Sequence, residues 1–204
     1  DEIVSIDIKN KKVDTKSHSL DYDYLVIALG AELSPELISG LSEAAYNLCD
    51  QNSVLQLKTA IEAINQGIVL ISISSMPFKC PPAPYEYALL IDDVLQKRGV
   101  RDKIRILLTT PEPQPMPVAG KIVGDIVKSM LAERGVEYLP LYKLKSVDLK
   151  NRKVLYENGE EISYSIFCAM PPHRAPKVVR ESGLTDASGF VPVDLWTLKT
   201  SEPN

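Results

Sequence analysis

Ile68-Val-Leu-Ile-Ser-Ile-Ser74 opens the stretch that decides the fold, and Met76-Pro-Phe-Lys-Cys-Pro-Pro-Ala-Pro-Tyr-Glu86 follows it. A short uncharged run rich in β-branched residues reads as a strand buried on both faces. Tyr87, Ile91, Val94 and Leu95 then recur at helical spacing, and Lys103–Thr109 is a second strand. Ile122, Val123, Ile126, Val127, Met130 and Leu131 make a second helical stripe, stopped at Gly135, before a third strand at Val136–Leu139. Strict alternation of this kind predicts an α/β fold, a parallel sheet joined by crossover helices in the Rossmann-like manner. Working outward, Ser53-Val-Leu-Gln56 reads as a capping box, with Val54, Leu57, Ile61 and Ile64 on one helix face and Gly67 as the stop. Residues 34–52 read as a connector. On the other side, Leu144–Leu149, Lys153–Tyr156 and Glu161–Tyr164, with Asn158-Gly159 at one turn, predict an antiparallel meander. Ile166–Ala169 returns to a buried strand.

An internal repeat sets the domain organisation. Ser5-Ile-Asp-Ile-Lys-Asn-Lys-Lys-Val13 matches Ser146-Val-Asp-Leu-Lys-Asn-Arg-Lys-Val154 at nearly every position. Leu20-Asp-Tyr-Asp-Tyr-Leu-Val26 lines up with Ile162-Ser-Tyr-Ser-Ile-Phe-Cys168 further on. Each copy reads as a meander, a buried strand and a loop, the first with its strand at Leu20–Ala31 closed by Gly30. A strand–helix–strand–helix–strand unit precedes the second copy and none precedes the first, so the chain is expected to be a piece cut from a duplicated protein.

Composition narrows the function classes. The 204 residues are 45% hydrophobic and 25% charged, with mean hydropathy −0.05 and a formal net charge of −4. A negative balance speaks against a nucleic-acid partner, and no apolar run reaches the length that spans a bilayer. The basic clusters Lys9–Lys12 and Lys97–Arg101 read as solvated turn and helix-end charges, and His18 as a solvated turn residue. Cys49, Cys80 and Cys168 lie far apart without a C-x-x-C pair, which predicts neither a metal site nor a disulfide framework.

The turn after the first buried strand carries the chemistry. A dinucleotide site needs G-x-G-x-x-G there, because bare backbone must approach the pyrophosphate. No glycine occurs between Gly67 and Gly99, and Pro81, Pro82 and Pro84 remove backbone donors. NAD binding is therefore not expected. The turn presents a thiol instead: Cys80 stands before a helix and beside Lys79, two influences that favour a thiolate. Cys49 lies 31 positions earlier, just ahead of another helix. Cys168, inside an apolar strand, reads as a buried small hydrophobe. Pro171-Pro-His-Arg-Ala-Pro176 reads as a polar loop, with His173 and Arg174 as lesser candidates. Glu112-Pro-Gln-Pro-Met-Pro117 reads as a stiff loop at the carboxyl end of a strand.

A duplicated nucleotide-fold unit with a three-stranded meander resembles the pyridine nucleotide–disulfide oxidoreductase superfamily. Tyr22-Asp-Tyr-Leu-Val-Ile-Ala-Leu-Gly-Ala31 looks like the motif that closes the first half of its FAD domain, with Leu29 where Thr is common. Gly189-Phe-Val-Pro-Val-Asp-Leu-Trp-Thr-Leu-Lys-Thr-Ser-Glu-Pro-Asn204 looks like the run-up to its final FAD motif. The Lys-Cys-Pro-Pro turn is similar to that of sulfide:quinone oxidoreductases and the flavoprotein of flavocytochrome c sulfide dehydrogenase. The resemblance implies a division into residues 1–33 (end of the first half of the FAD domain), 34–52 (connector), 53–164 (Rossmann-like domain) and 165–204 (return into the FAD domain). It implies an oxidoreductase that uses FAD, with Cys80 and Cys49 catalytic and Ala28, Gly30, Ala31 and Pro82 against the cofactor.

Sulfide or another small reductant would be the substrate, and a quinone or cytochrome the acceptor. The resemblance also allows peripheral membrane association and a homodimer, and leaves the compartment open between the cytoplasm and a membrane surface. The chain by itself is expected to be inactive and to hold FAD weakly. An NAD(P)H-dependent flavoprotein reductase, of the type II NADH dehydrogenase or CoA-disulfide reductase kind, is the alternative enzyme. A non-catalytic fold remnant serving association is the alternative outside enzymology.

Overall fold

A computed structural model describes residues 1–202. The strands are β1 (Ile3–Asp7), β2 (Lys12–Thr15), β3 (Ser19–Asp21), β4 (Glu32–Leu33), β5 (Tyr46–Asn47), β6 (Gly67–Ile73), β7 (Ile104–Thr110), β8 (Val136–Pro140), β9 (Leu144–Asp148), β10 (Lys153–Tyr156), β11 (Glu161–Ser163), β12 (Ile166–Met170) and β13 (His173–Arg174). The helices are α1 (Leu41–Ala44), α2 (Gln51–Ala63), α3 (Ala83–Lys97), α4 (Lys121–Glu133) and α5 (Lys177–Glu181). The chain divides into two compact units, Asp1–Leu33 with His173–Asn204, and Ser34–Pro172.

The Ser34–Pro172 unit is a three-layer α/β structure of the Rossmann-like kind. Its parallel sheet runs β5-β12-β6-β7-β8. Side chains alternate along each strand, so the sheet has two apolar faces. Val69, Ile71, Ile73, Ile106, Leu108, Ile166, Cys168 and Met170 pack under Leu57 and Ile61 of α2, Tyr85, Ala88, Ile91 and Leu95 of α3, and Leu131 of α4. Leu70, Leu107, Phe167 and Ala169 face the other way, onto Leu144, Val147, Val154 and Tyr156 of the β11-β10-β9 meander. Burial on both faces explains why β6 reads as apolar throughout.

The hairpin half of the repeat is reproduced in three dimensions. In β1–β2, Asp7 accepts from the backbone N–H and side-chain amide of Asn10 at 3.0 and 2.8 Å, and Lys11 has φ 51°. In β9–β10, Asp148 accepts from the same two groups of Asn151 at 3.0 and 2.7 Å, and Arg152 has φ 51°. The Asp-x-x-Asn spacing thus builds one turn twice.

Several local expectations are corrected. Asp50, not Ser53, caps α2: its carboxylate accepts from the Ser53 N–H at 2.8 Å, while the Ser53 hydroxyl accepts from the Asn47 N–H at 2.7 Å. Gly67 does not stop that helix but opens β6 at φ 119°, where a Cβ would stand 2.1 Å from the Ser165 hydroxyl. Within residues 34–52, Tyr46–Asn47 forms the edge strand beside β12. The stripe on α4 is split: Leu131 is buried and Val123 and Val127 half-buried, while Ile122, Ile126 and Met130 are exposed. Gly124 is buried on the same helix, which comes so close to the Pro115 carbonyl that a Cβ there would lie at 2.8 Å. Arg98 and Arg101 are not merely solvated: Arg98 donates to the Ile61 and Ile64 carbonyls, both at 2.7 Å, and Arg101 pairs with buried Asp92.

The other unit holds the β1-β2-β3 meander, the β4–β13 pair and α5, around Ile6, Ala175 and Val179. His173 is not in a polar loop but buried on β13, paired with Leu33. Leu20–Ala31 is not a buried strand: only Ser19–Asp21 pairs, and Tyr24 and Val26 are 79% and 87% exposed. A strand buried on both faces needs strands at its edges, and none of the described strands flanks residues 24–31. His18 lies in an exposed turn, where its N–H donates to the Thr15 hydroxyl.

Candidate functional site

Three segments of the Ser34–Pro172 unit leave the carboxyl edge of the parallel sheet side by side. They are Leu48–Asp50 after β5, Ser74–Pro82 after β6, and Pro171 onward after β12. Chain ends of parallel strands are where open α/β sheets gather their ligands. The sheet ladder continues one residue into two of them, through Leu48 N–H to the Ala169 carbonyl and Ser74 N–H to the Met170 carbonyl, each at 3.0 Å. Those bonds anchor the loop roots. The Ser74 hydroxyl is buried there without a hydrogen-bond partner.

Cys80 is exposed at the top of the Ser74–Pro82 turn, with φ 56°. Pro82 caps α3, and Pro81, Pro82 and Pro84 carry no N–H. The remaining early donors are all committed: Ala83 N–H to the Cys80 carbonyl at 2.9 Å, and Tyr85 and Glu86 N–H to the Pro82 carbonyl at 3.1 Å. A helix start normally offers several such groups to an anion. This one offers none in its first turn. Lys79 is the neighbouring basic residue in the chain.

Cys49 is half-buried at the foot of the neighbouring loop. Its N–H donates to the Asn47 side chain at 2.8 Å and its sulfur lies 4.0 Å from the Met170 sulfur. Burial pushes its thiol up, the Lys79 charge counters this, and Cys80 adds to it. The sequence pair 31 positions apart is thus brought into one electrostatic neighbourhood. Cys168 is not part of it: the side chain is wholly buried in β12, its S–H donates to the Leu70 carbonyl at 3.5 Å, and burial pushes the thiol far up. No group of His, Cys, Asp and Glu among the described residues could hold a metal ion.

The profile of the central part of the sulfide dehydrogenase (flavocytochrome c) flavoprotein chain matches residues 54–171, more than half of the sequence. The chain belongs to this flavoprotein family. It is similar to the mitochondrial sulfide:quinone oxidoreductase of Dictyostelium discoideum, 28% identical over 195 residues, covering 88% of this chain and 42% of that protein. The mouse mitochondrial sulfide:quinone oxidoreductase is 30% identical over 191 residues, covering 88% of this chain and 42% of its own. The crystal structure of the sulfide:quinone oxidoreductase from Aquifex aeolicus superposes with a TM-score of 0.76 at 27% identity, covering 92% of this chain and 46% of that one. The chain therefore sits within the pyridine nucleotide–disulfide oxidoreductase superfamily, and spans less than half the length of these relatives.

A flavoprotein of this family must border its flavin with backbone that allows close approach. Gly30 has the open backbone such an approach needs: φ is 75° and nothing lies within 4 Å of where its Cβ would be. Ala28 and Gly30 are exposed and Ala31 half-buried, all in the Asp1–Leu33 unit, and these three fit an open wall of a cofactor site. Cys49, Cys80 and Pro82 belong to the Ser34–Pro172 unit. Among the described residues, no helix is long and apolar enough to cross a membrane.

Sequence reasoning missed Glu112. It is 4% exposed just beyond β7, where its carboxyl accepts from the Tyr85 and Thr110 hydroxyls, both at 3.2 Å. Burial raises it above the usual carboxylate range, and the two hydroxyls only partly oppose this. In a dinucleotide domain the acid after the second strand receives a ribose hydroxyl. Here it is turned inward and closed off by Tyr85. The Glu-Pro-Gln-Pro-Met-Pro loop was legible as stiff, but its inward acid depends on Tyr85, which is 27 residues away.

Proposed function

We propose that the chain is the central part of an FAD-dependent sulfide-oxidising flavoprotein, in which Cys80 and Cys49 handle sulfide sulfur and a quinone or cytochrome takes the electrons. The observation that carries this reading is the carboxyl edge of the sheet, where a proline-filled turn displays Cys80 next to Lys79, within electrostatic reach of half-buried Cys49, and offers no first-turn N–H to a phosphate. The Asp1–Leu33 and His173–Asn204 unit would belong to the FAD domain, and Ser34–Pro172 would be the domain set into it. Ala28, Gly30 and Ala31 would border FAD.

The chemistry asked of this chain is sulfur capture. A Cys80 thiolate and hydrosulfide joined by a new S–S bond give a persulfide, one proton and two electrons. FAD, when bound, supplies the acceptor for two electrons. Lys79 would place a basic side chain where the hydrosulfide anion arrives, and Cys49, sheltered and with a raised thiol, would serve as the second sulfur acceptor. NAD(P)H is not part of the scheme, because the helix start lacks donors and Glu112 is closed off.

The test uses the full-length enzyme. Cys80→Ser should retain FAD yet lose anaerobic bleaching of the flavin on addition of sulfide, with Cys168→Ala bleaching as wild type does. A Cys80→Ser enzyme that bleaches at the wild-type rate removes the thiol from the mechanism.

A further inference from the structure

Tyr87 sits one turn into α3, the helix that the Cys80 turn leads into, and its hydroxyl donates across to the Leu48 carbonyl at 3.1 Å. Leu48 is the residue before Cys49. Its N–H makes the last bond of the β5–β12 ladder, to Ala169, so its carbonyl belongs to the point where the chain turns off the sheet. From there the segment is tied locally. Cys49 N–H donates to the Asn47 side chain at 2.8 Å, Asp50 N–H to the Asn47 carbonyl at 3.2 Å, and Asn47 N–H to the Ser53 hydroxyl at 2.7 Å. All of these bonds stay within the β5–α2 connection. The Tyr87 hydroxyl bond instead reaches the helix that follows the other thiol.

The ring of Tyr87 is half-buried against the same core as Cys49 and feels the charge of Cys49, Cys80 and Cys168. At the far end of the two helices, Arg98, just past α3, holds the Ile61 and Ile64 carbonyls at the close of α2. The helix pair is thus clamped at both ends, and the clamp nearest the cysteines is Tyr87. We infer that Tyr87 is a positioning residue, whose hydroxyl keeps the Leu48–Cys49 segment sheltered and facing Cys80. It acts through that segment and not on sulfide or flavin. The inference rests on the proposed roles of Cys49 and Cys80, and its test separates the two.

Tyr87→Phe keeps the ring and its packing and deletes only the bond to Leu48. Losing one net hydrogen bond raises the population of the open segment on the order of threefold to tenfold. Alkylation of the protein with iodoacetamide, followed site by site by mass spectrometry, should therefore accelerate at Cys49 by that factor. Cys80 should keep its rate and Cys168 should stay unreactive. In the full-length enzyme the same variant should slow sulfide-dependent flavin bleaching at unchanged FAD content. An unchanged Cys49 rate overturns the inference. So does a Cys168 that becomes as reactive as Cys49, since the hydroxyl would then hold the whole unit and not this segment. A Cys49→Ser enzyme that bleaches normally would sink the role of Cys49 itself, while leaving the alkylation comparison to report on Tyr87.

Discussion

Asp92→Ala should destabilise the Ser34–Pro172 unit more than the loss of any surface ion pair in it. The Asp92 side chain is fully buried on α3 and pairs with Arg101, with Arg134 at 3.2 Å and with the Gln96 amide at 2.7 Å. Arg101 goes on to the carbonyls of Ile104, Arg134 and Gly135 at 2.6, 2.8 and 2.9 Å. One carboxylate therefore fastens the end of α3 to the start of β7 and the end of α4. Deleting it strands the Arg101 guanidinium, whose side chain is only 17% exposed, and breaking such a pair costs about 3–5 kcal/mol. Some water can reach Arg101, so the lower figure applies. Unfolding entropy of about 2.1 cal/mol/K per residue, over a unit of this length, amounts to about 0.3 kcal/mol/K. A loss of about 3 kcal/mol then lowers Tm by about 10 °C. Arg134 is half exposed, and Arg134→Ala should cost no more than about 1 kcal/mol. Thermal unfolding followed by circular dichroism decides it, and the Asp92→Ala deficit should persist in about 1 M salt, because buried charges are poorly screened. A shift below about 3 °C, or one no larger than that of Arg134→Ala, would refute the reasoning.

Calorimetric titration with NADH or NADPH should show no tight binding; a low-micromolar dissociation constant, roughly −8 kcal/mol, would contradict the donor accounting at the start of α3. Alkylation of the native protein should run in the order Cys80, Cys49, Cys168, since Cys80 is exposed, Cys49 is half-buried with a raised thiol, and Cys168 is wholly buried with a thiol raised further. Reaction at Cys168 before denaturant is added would mean the sheet opens locally. For Glu112 the folded state favours the neutral acid, so its contribution to stability is complete below the unfolded value of about 4.3 and is lost as pH rises through the higher folded value. Urea midpoints of Glu112→Gln should therefore gain on wild type as pH rises from acid to neutral, and parallel curves would mean that Glu112 does not titrate differently in the fold.

The sequence by itself was enough for what short-range pattern controls. The alternation from Ile68 to Leu139 is a record of which faces are buried, so the parallel sheet and its helices could be read directly. The meanders could be read twice over, because Asp7 with Asn10 and Asp148 with Asn151 each build their turn within four residues. The absence of glycine between Gly67 and Gly99 was likewise a local fact, whereas only the structure shows where the N–H groups of Ala83, Tyr85 and Glu86 bond. Tertiary structure decided everything that depends on a distant partner. Whether Leu20–Ala31 pairs as a strand depends on flanking strands, and which residues of the α4 stripe are buried depends on what packs against them. The burial of Glu112 depends on Tyr85, and the place of the Leu48–Cys49 segment depends on β5 lying along β12 while Tyr87 reaches across to Leu48. Periodicity reports only that a side chain is buried; packing chooses its neighbours, and the candidate site is made of neighbours.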